Sequence, residues 1–189
     1  MSPTKSRKRP QSAHSPAKRG GKFFPALCRF FGTLILVAVI LAALPLTVPR
    51  FFGYEIFSVV SESMEPALPV NSLVYVRPAE PEEILPGEIV AFRRDGAVVT
   101  HRAVENRREE NCLITKGDAN AMEDIQPVPY PNLIGTVSYH VPGLGMLMLY
   151  FASTEGKLRL GLIALSGAIL NGIGTSLRHR EKKEKGKHE

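Results

Sequence analysis

IVAFRRDGAVVTHRAV, residues 89–104, decides how the chain is read. Two apolar, β-branched runs flank Asp95-Gly96, a pair that favours a tight turn between antiparallel strands. A β-hairpin is therefore expected here. Strand alternation places Val99 and His101 on one face and Thr100 and Arg102 on the other. Working outward, similar clusters recur at Phe57–Val60, Leu73–Val76, Leu113–Thr115 and Leu133–Tyr139. Turn signals such as Pro86-Gly87 and Gly117-Asp118 separate them. Helical periodicity is not evident between residues 51 and 150, and no internal repeat is evident. The expectation is a mostly β fold: a small antiparallel β domain over residues 51–150.

The flanks are of a different kind. From Phe30 to Val48 no residue is charged, and the run FFGTLILVAVILAALPLTV is about as long as the roughly 20 residues that cross a bilayer. A transmembrane helix is expected over 28–49. A cleavable signal peptide competes with this reading. Against it stand the long preceding tail, an apolar run exceeding the usual core of about 7–15 residues, and Pro45 in the cleavage zone. A weaker apolar stretch, LRLGLIALSGAILNGIGTSL, gives a second expected span over 158–177. An amphipathic or packed C-terminal helix is the alternative there.

Charge supports the division. Residues 1–22 carry seven Lys/Arg and no acid, and read as a disordered basic tail. Residues 178–189 form a second basic tail. Residues 51–157 carry eight Lys/Arg against fifteen Asp/Glu, so the middle is acidic. A nucleic-acid protein is expected to put basic residues on its folded domain, so that class is excluded. The positive-inside rule keeps both tails in the cytoplasm and sends the β domain to the far side of a cell membrane crossed twice. Cys28 and Cys112 would then lie on opposite sides and form no disulfide, and their spacing suggests no zinc site.

Three short constellations carry chemistry. Ser61-Glu62-Ser63-Met64-Glu65-Pro66 follows a candidate strand soon after the first span. A serine becomes a nucleophile when a base takes its proton. Val99-Thr100-His101-Arg102-Ala103-Val104 offers an imidazole suited to that task. Lys116-Gly117-Asp118-Ala119-Asn120-Ala121-Met122-Glu123-Asp124 offers carboxylates that orient a histidine and stabilise its imidazolium. Singly each is weak evidence. Taken one at a time, they are better accounted for by a turn, a packed histidine and a solvated loop.

Together, in this order, they resemble the type I signal peptidases, in the endoplasmic-reticulum and archaeal branch that some Gram-positive bacteria also carry. The resemblance covers about Ser58 to Gly145. The Ser-x-Ser-Met-x-Pro box is matched by Ser61 to Pro66, which puts Ser63 in the nucleophile position. The Thr-His-Arg-x-Val box is matched at 100–104, with His101 where other bacterial relatives use lysine. Lys116, Gly117, Asp118, Asn120 and Asp124 match the Lys-Gly-Asp-x-Asn box and its following acid. Asp124 is then the expected triad acid and Asp118 a second, structurally important carboxylate; which of them contacts His101 is open. Glu62 departs from the glycine that many relatives have there, and Glu123-Asp124 replaces a pair of aspartates.

The resemblance implies a serine endopeptidase, signal peptidase I, that cuts signal peptides from exported preproteins after small residues. The Ser63 N–H and the Ser61 hydroxyl would bind the oxyanion. No metal or organic cofactor is implied. The expected partners are signal peptides and the lipid bilayer; accessory subunits are unspecified, as are substrates of a specialised kind such as pilins or matrix proteins. Apolar residues around Phe51, Phe52, Phe57 and 146–151 would rest on the lipid surface or simply lead into the second span. The alternative reading is a non-catalytic membrane subunit that binds exported chains.

Overall fold

The computed structural model describes residues 23–185. The expected basic tail of residues 1–22 and the final residues 186–189 lie outside the described residues. A long helix, α1 (Phe23–Phe51), leads into seven strands: β1 (Glu55–Ser58), β2 (Leu73–Arg77), β3 (Ile89–Arg94), β4 (Ala97–Arg107), β5 (Cys112–Lys116), β6 (Val128–Pro129) and β7 (Leu133–Val141). A short helix, α2 (Gly145–Ala152), and a long one, α3 (Thr154–Lys185), close the chain. All strand pairs are antiparallel, in one sheet of order β1-β2-β7-β3-β4-β5-β6.

The hairpin forms as its sequence dictates. Arg94 pairs with Ala97, leaving Asp95 and Gly96 as a two-residue loop. Both have positive φ, 51° and 78°, the conformation that a type I′ turn demands and that Asp and Gly tolerate. The short β6 joins the sheet beside β5, where no apolar cluster marked a strand. The first cluster is displaced as well: β1 ends at Ser58, and Val59 and Val60 already belong to the loop that follows.

Two clusters fill the sheet domain. Met64, Leu68, Val74, Val76 and Ala91 pack together on one side. Phe92, Val90, Ala103, Leu113 and Ile84 form the other. A third cluster joins sheet to helices, with Leu46 of α1 against Ile56, Leu73 and Tyr75, and Leu147, Met148 and Phe151 of α2 packed on it. The helix α2 falls inside the region where helical periodicity was not evident. Its GMLMLYFA sequence is apolar all round and so carries no 3.6-residue pattern.

Both long helices are long and apolar enough to cross a membrane. Helix α1 begins before the expected residue 28, and α3 continues beyond 177 through Lys185 into the expected basic tail. The two pack side by side, with Asn171 Nδ2 donating to Thr33 Oγ1 at 3.1 Å. Pro49 has no N–H to give the Pro45 carbonyl, as a helix otherwise would. The Tyr75 hydroxyl of β2 donates to that carbonyl at 3.1 Å, tying the end of α1 to the sheet. Cys28 and Cys112 are both free thiols.

Candidate active site

Ser63 sits in the loop after β1. The loop is pinned at its base by Val59, whose N–H donates to Ser72 O and whose carbonyl accepts from Asn71 N–H, each at 2.9 Å. Met64 is the anchor: it is 1% exposed in the core, so its neighbour Ser63 is held at the surface of the core while Ser61 and Glu62 stay in solvent. The Leu68 N–H closes the following turn onto Met64 O at 2.8 Å. Ser61 Oγ lies 3.3 Å from Ser63 Oγ.

His101 stands on β4, opposite Val90 of β3, and is buried. Its ring meets Phe92 edge to face at 6.1 Å between centroids. Its Nε2 is 3.3 Å from Ser63 Oγ, and its Nδ1 is 2.7 Å from Asp124 Oδ2. The first distance is long for such a bond, as is common before substrate draws a site together.

Asp124 leaves the loop after β5, with its N–H on Thr115 O at 2.8 Å. One carboxylate oxygen, Oδ2, meets three donors. These are His101 Nδ1, Thr115 Oγ1 at 2.7 Å and Arg94 Nη1 at 3.2 Å. Burial alone opposes its ionisation and is the largest single influence. The hydrogen bonds from Thr115 and His101 and the nearby charges of His101 and Arg94 outweigh it, so the carboxyl is held below its ordinary range.

Asp118, from the same loop, is placed elsewhere. It accepts from Arg102 Nε at 2.8 Å and Nη2 at 2.6 Å, a bidentate clamp on the opposite face of β4. Arg102 Nη1 also donates to Gly87 O at 2.6 Å, bracing the turn before β3. The same clamp raises the Arg102 guanidinium further above its usual range, chiefly through the hydrogen bond to Asp118. Gly117 lets the loop approach the serine: a Cβ there would stand 2.6 Å from Ser63 O. The Ala119 N–H then donates to that carbonyl at 3.0 Å.

The structure thus brings together Ser61, Ser63, His101 and Asp124, and sets Asp118 apart on Arg102. Two residues at this site were not singled out by the sequence, Arg94 and Thr115. An arginine beside a hairpin turn reads as a solvated charge, and a threonine ending an apolar cluster reads as strand. Among the described residues, no group of three or more His, Cys, Asp or Glu is placed to hold a metal ion.

Comparison with known proteins bears on this geometry. No protein-family model matches the chain. It is 38% identical over 89 residues to Signal peptidase I W of Bacillus subtilis, a match covering 45% of this chain and 47% of that protein. It is 30% identical over 121 residues to the signal peptidase complex catalytic subunit SEC11 of Candida tropicalis, covering 58% of this chain and 72% of that one. The chain belongs to the type I signal peptidase family. Eremothecium gossypii SEC11 is similar too, at 29% identity over 126 residues and 75% of its length. The signal peptidases that resemble the chain thus include a bacterial protein and yeast catalytic subunits. The chain spans about half the length of the Bacillus signal peptidase. Its two apolar helices, together with its signal peptidase relatives, place the chain at a membrane.

Proposed function

We propose that the chain is a serine endopeptidase that removes signal peptides from exported preproteins, with Ser63 as nucleophile, His101 as general base and Asp124 as the acid that orients it. The observation that carries this reading is the relay from Ser63 Oγ through both His101 nitrogens to Asp124. His101 Nε2 takes the Ser63 proton as the hydroxyl attacks the scissile carbonyl. Asp124 keeps the other proton on Nδ1 and stabilises the imidazolium. The protonated imidazole then gives its proton to the leaving amine, and water hydrolyses the acyl-enzyme with His101 again as base. The Ser63 N–H and the Ser61 hydroxyl, which lies 3.3 Å from the nucleophile, donate to the oxyanion. Removing such a donor costs about 3–4 kcal/mol in comparable enzymes.

The substrate is an extended peptide with small residues first and third before the cut, read by main-chain pairing along a strand and by shallow pockets. Both apolar helices span the bilayer with the basic ends in the cytoplasm, so the sheet domain works on the far face. The 51–150 segment is the peptidase unit, 28–49 and 158–177 are its spans, and the bilayer and the signal peptide are its partners. A subunit that only bound exported chains would have no use for the Ser63-His101-Asp124 relay.

The test is cleavage of a model preprotein by the full chain in detergent, beside Ser63→Ala and His101→Ala. The parent is expected to cut after a small residue, and each variant to lose cleavage while keeping its circular dichroism spectrum. Cleavage at the parental rate by either variant would sink the assignment.

A further inference from the structure

Arg94 ends β3, next to the Asp95-Gly96 turn, and its guanidinium touches three parts of the site. Nη1 donates to Asp124 Oδ2 at 3.2 Å. Nη2 donates to the Gln126 carbonyl at 2.8 Å. The guanidinium carbon lies 4.8 Å over the Phe92 ring, and the edge-to-face partner of that ring is His101. The rest of the loop gains little from the core, since Met122 is 78% and Ile125 98% exposed. Its carboxylate nonetheless has to be held within a fraction of an ångström of His101 Nδ1 for the base to work.

We propose that Arg94 is a positioning residue, whose stacked guanidinium grips Asp124 and Gln126 and so holds the acid in line with His101. The inference rests on the assignment of Asp124 to the relay. The chemistry suits arginine. The planar fork serves two acceptors at once while its face lies on an aromatic ring, and lysine, a single flexible ammonium, does not reproduce that. The charge acts as well. The charged groups facing Asp124 are His101 from β4 and Arg94 from β3, with Thr115 from β5 as a neutral donor. Removing the cation favours proton uptake by the His101–Asp124 pair. The acid limb of the rate profile then moves to higher pH.

The experiment compares parent, Arg94→Ala, Arg94→Lys and Ser63→Ala as full chains in detergent, with a quenched fluorogenic peptide carrying an Ala-Xaa-Ala cleavage site. Arg94→Ala is expected to lower kcat roughly 10–100-fold, by analogy with the loss on removing partners that orient a metal's ligands, with KM nearly unchanged. Its acid limb moves up in pH. Arg94→Lys keeps the charge and restores most of the pH shift but only part of kcat. In parallel, NMR follows the His101 Nδ1–H proton, assigned by His101→Asn, in histidine-labelled full chain. Its resonance is expected to shift and broaden in Arg94→Ala, because the Asp124 oxygen that it meets at 2.7 Å is no longer held. A folded Arg94→Ala with parental kcat, pH limb and His101 resonance overturns the inference. A uniform loss of kcat with the pH limb and the resonance unmoved overturns it too, since a mere brace would do that. If Ser63→Ala cuts like the parent, the peptidase assignment fails, and the His101 resonance still decides whether Arg94 holds Asp124 against His101.

Discussion

Asp118 and Asp124 leave one loop and reach opposite faces of β4, and their surroundings differ in kind. Asp118 spends both oxygens on one arginine, Arg102, and that pair is partly open to solvent, with side chains 18% and 36% exposed. Asp124 gives a single oxygen to a histidine, a threonine and an arginine, with its side chain only 8% exposed. Adjacent positions on a strand, His101 and Arg102, thus join one carboxylate to the hydrogen-bond chain that runs through His101 to Ser63 and the other to a structural clamp. The role comes from the partner across the strand and not from the acidic motif, which supplies both.

The comparison predicts different failures. Asp124→Asn keeps the volume but cannot hold the His101 tautomer, and in serine triads that change lowers kcat by about 10⁴-fold. The same kcat loss is expected here, read from steady-state cleavage, with the fold intact. A loss under tenfold would mean that His101 works without this acid. Asp118→Asn should do the reverse. It weakens a charge-assisted clamp and lowers stability by about 1–2 kcal/mol, discounted for the exposure of Arg102. Its kcat should fall less than tenfold once the protein is folded. Denaturation monitored by tyrosine near-ultraviolet circular dichroism, beside kcat, separates the two. Equal kcat losses in the two variants would erase the distinction between relay and clamp.

Much of this was legible in the sequence, because hairpin and site share the same short-range signals. Asp95-Gly96 set the turn, and with it the register that buries His101 against Phe92. The Ser63, His101 and Asp124 positions followed from the family resemblance together with their order. What the sequence left open was which acid met the histidine. That depends on where the loop folds back, through Asp124 N–H on Thr115 O within the loop and through Ala119 N–H on Ser63 O, a contact between segments far apart in the chain. Arg94 escaped notice for the same reason. Its partners at 124 and 126 lie across the sheet, where no local pattern announces them. The helix α2 was missed because a uniformly apolar octapeptide carries no periodicity to read.

The smallest expected effect is the response to acid, and its sign follows from Asp124. Its carboxyl is held below the unfolded value of about 3.9, so its ionised form stabilises the fold. That contribution is fully present above the unfolded value and is lost as pH falls through the depressed folded value. The window therefore lies below about pH 4. The unfolding midpoint of the parent should drop on acidification through that window, and Asp124→Asn should show a shallower drop because it has no proton to take up there. If Asp124→Asn and the parent lost stability in parallel, the donors around Oδ2 would not be holding the carboxylate charged, and the electrostatic account of Asp124 would have to be given up.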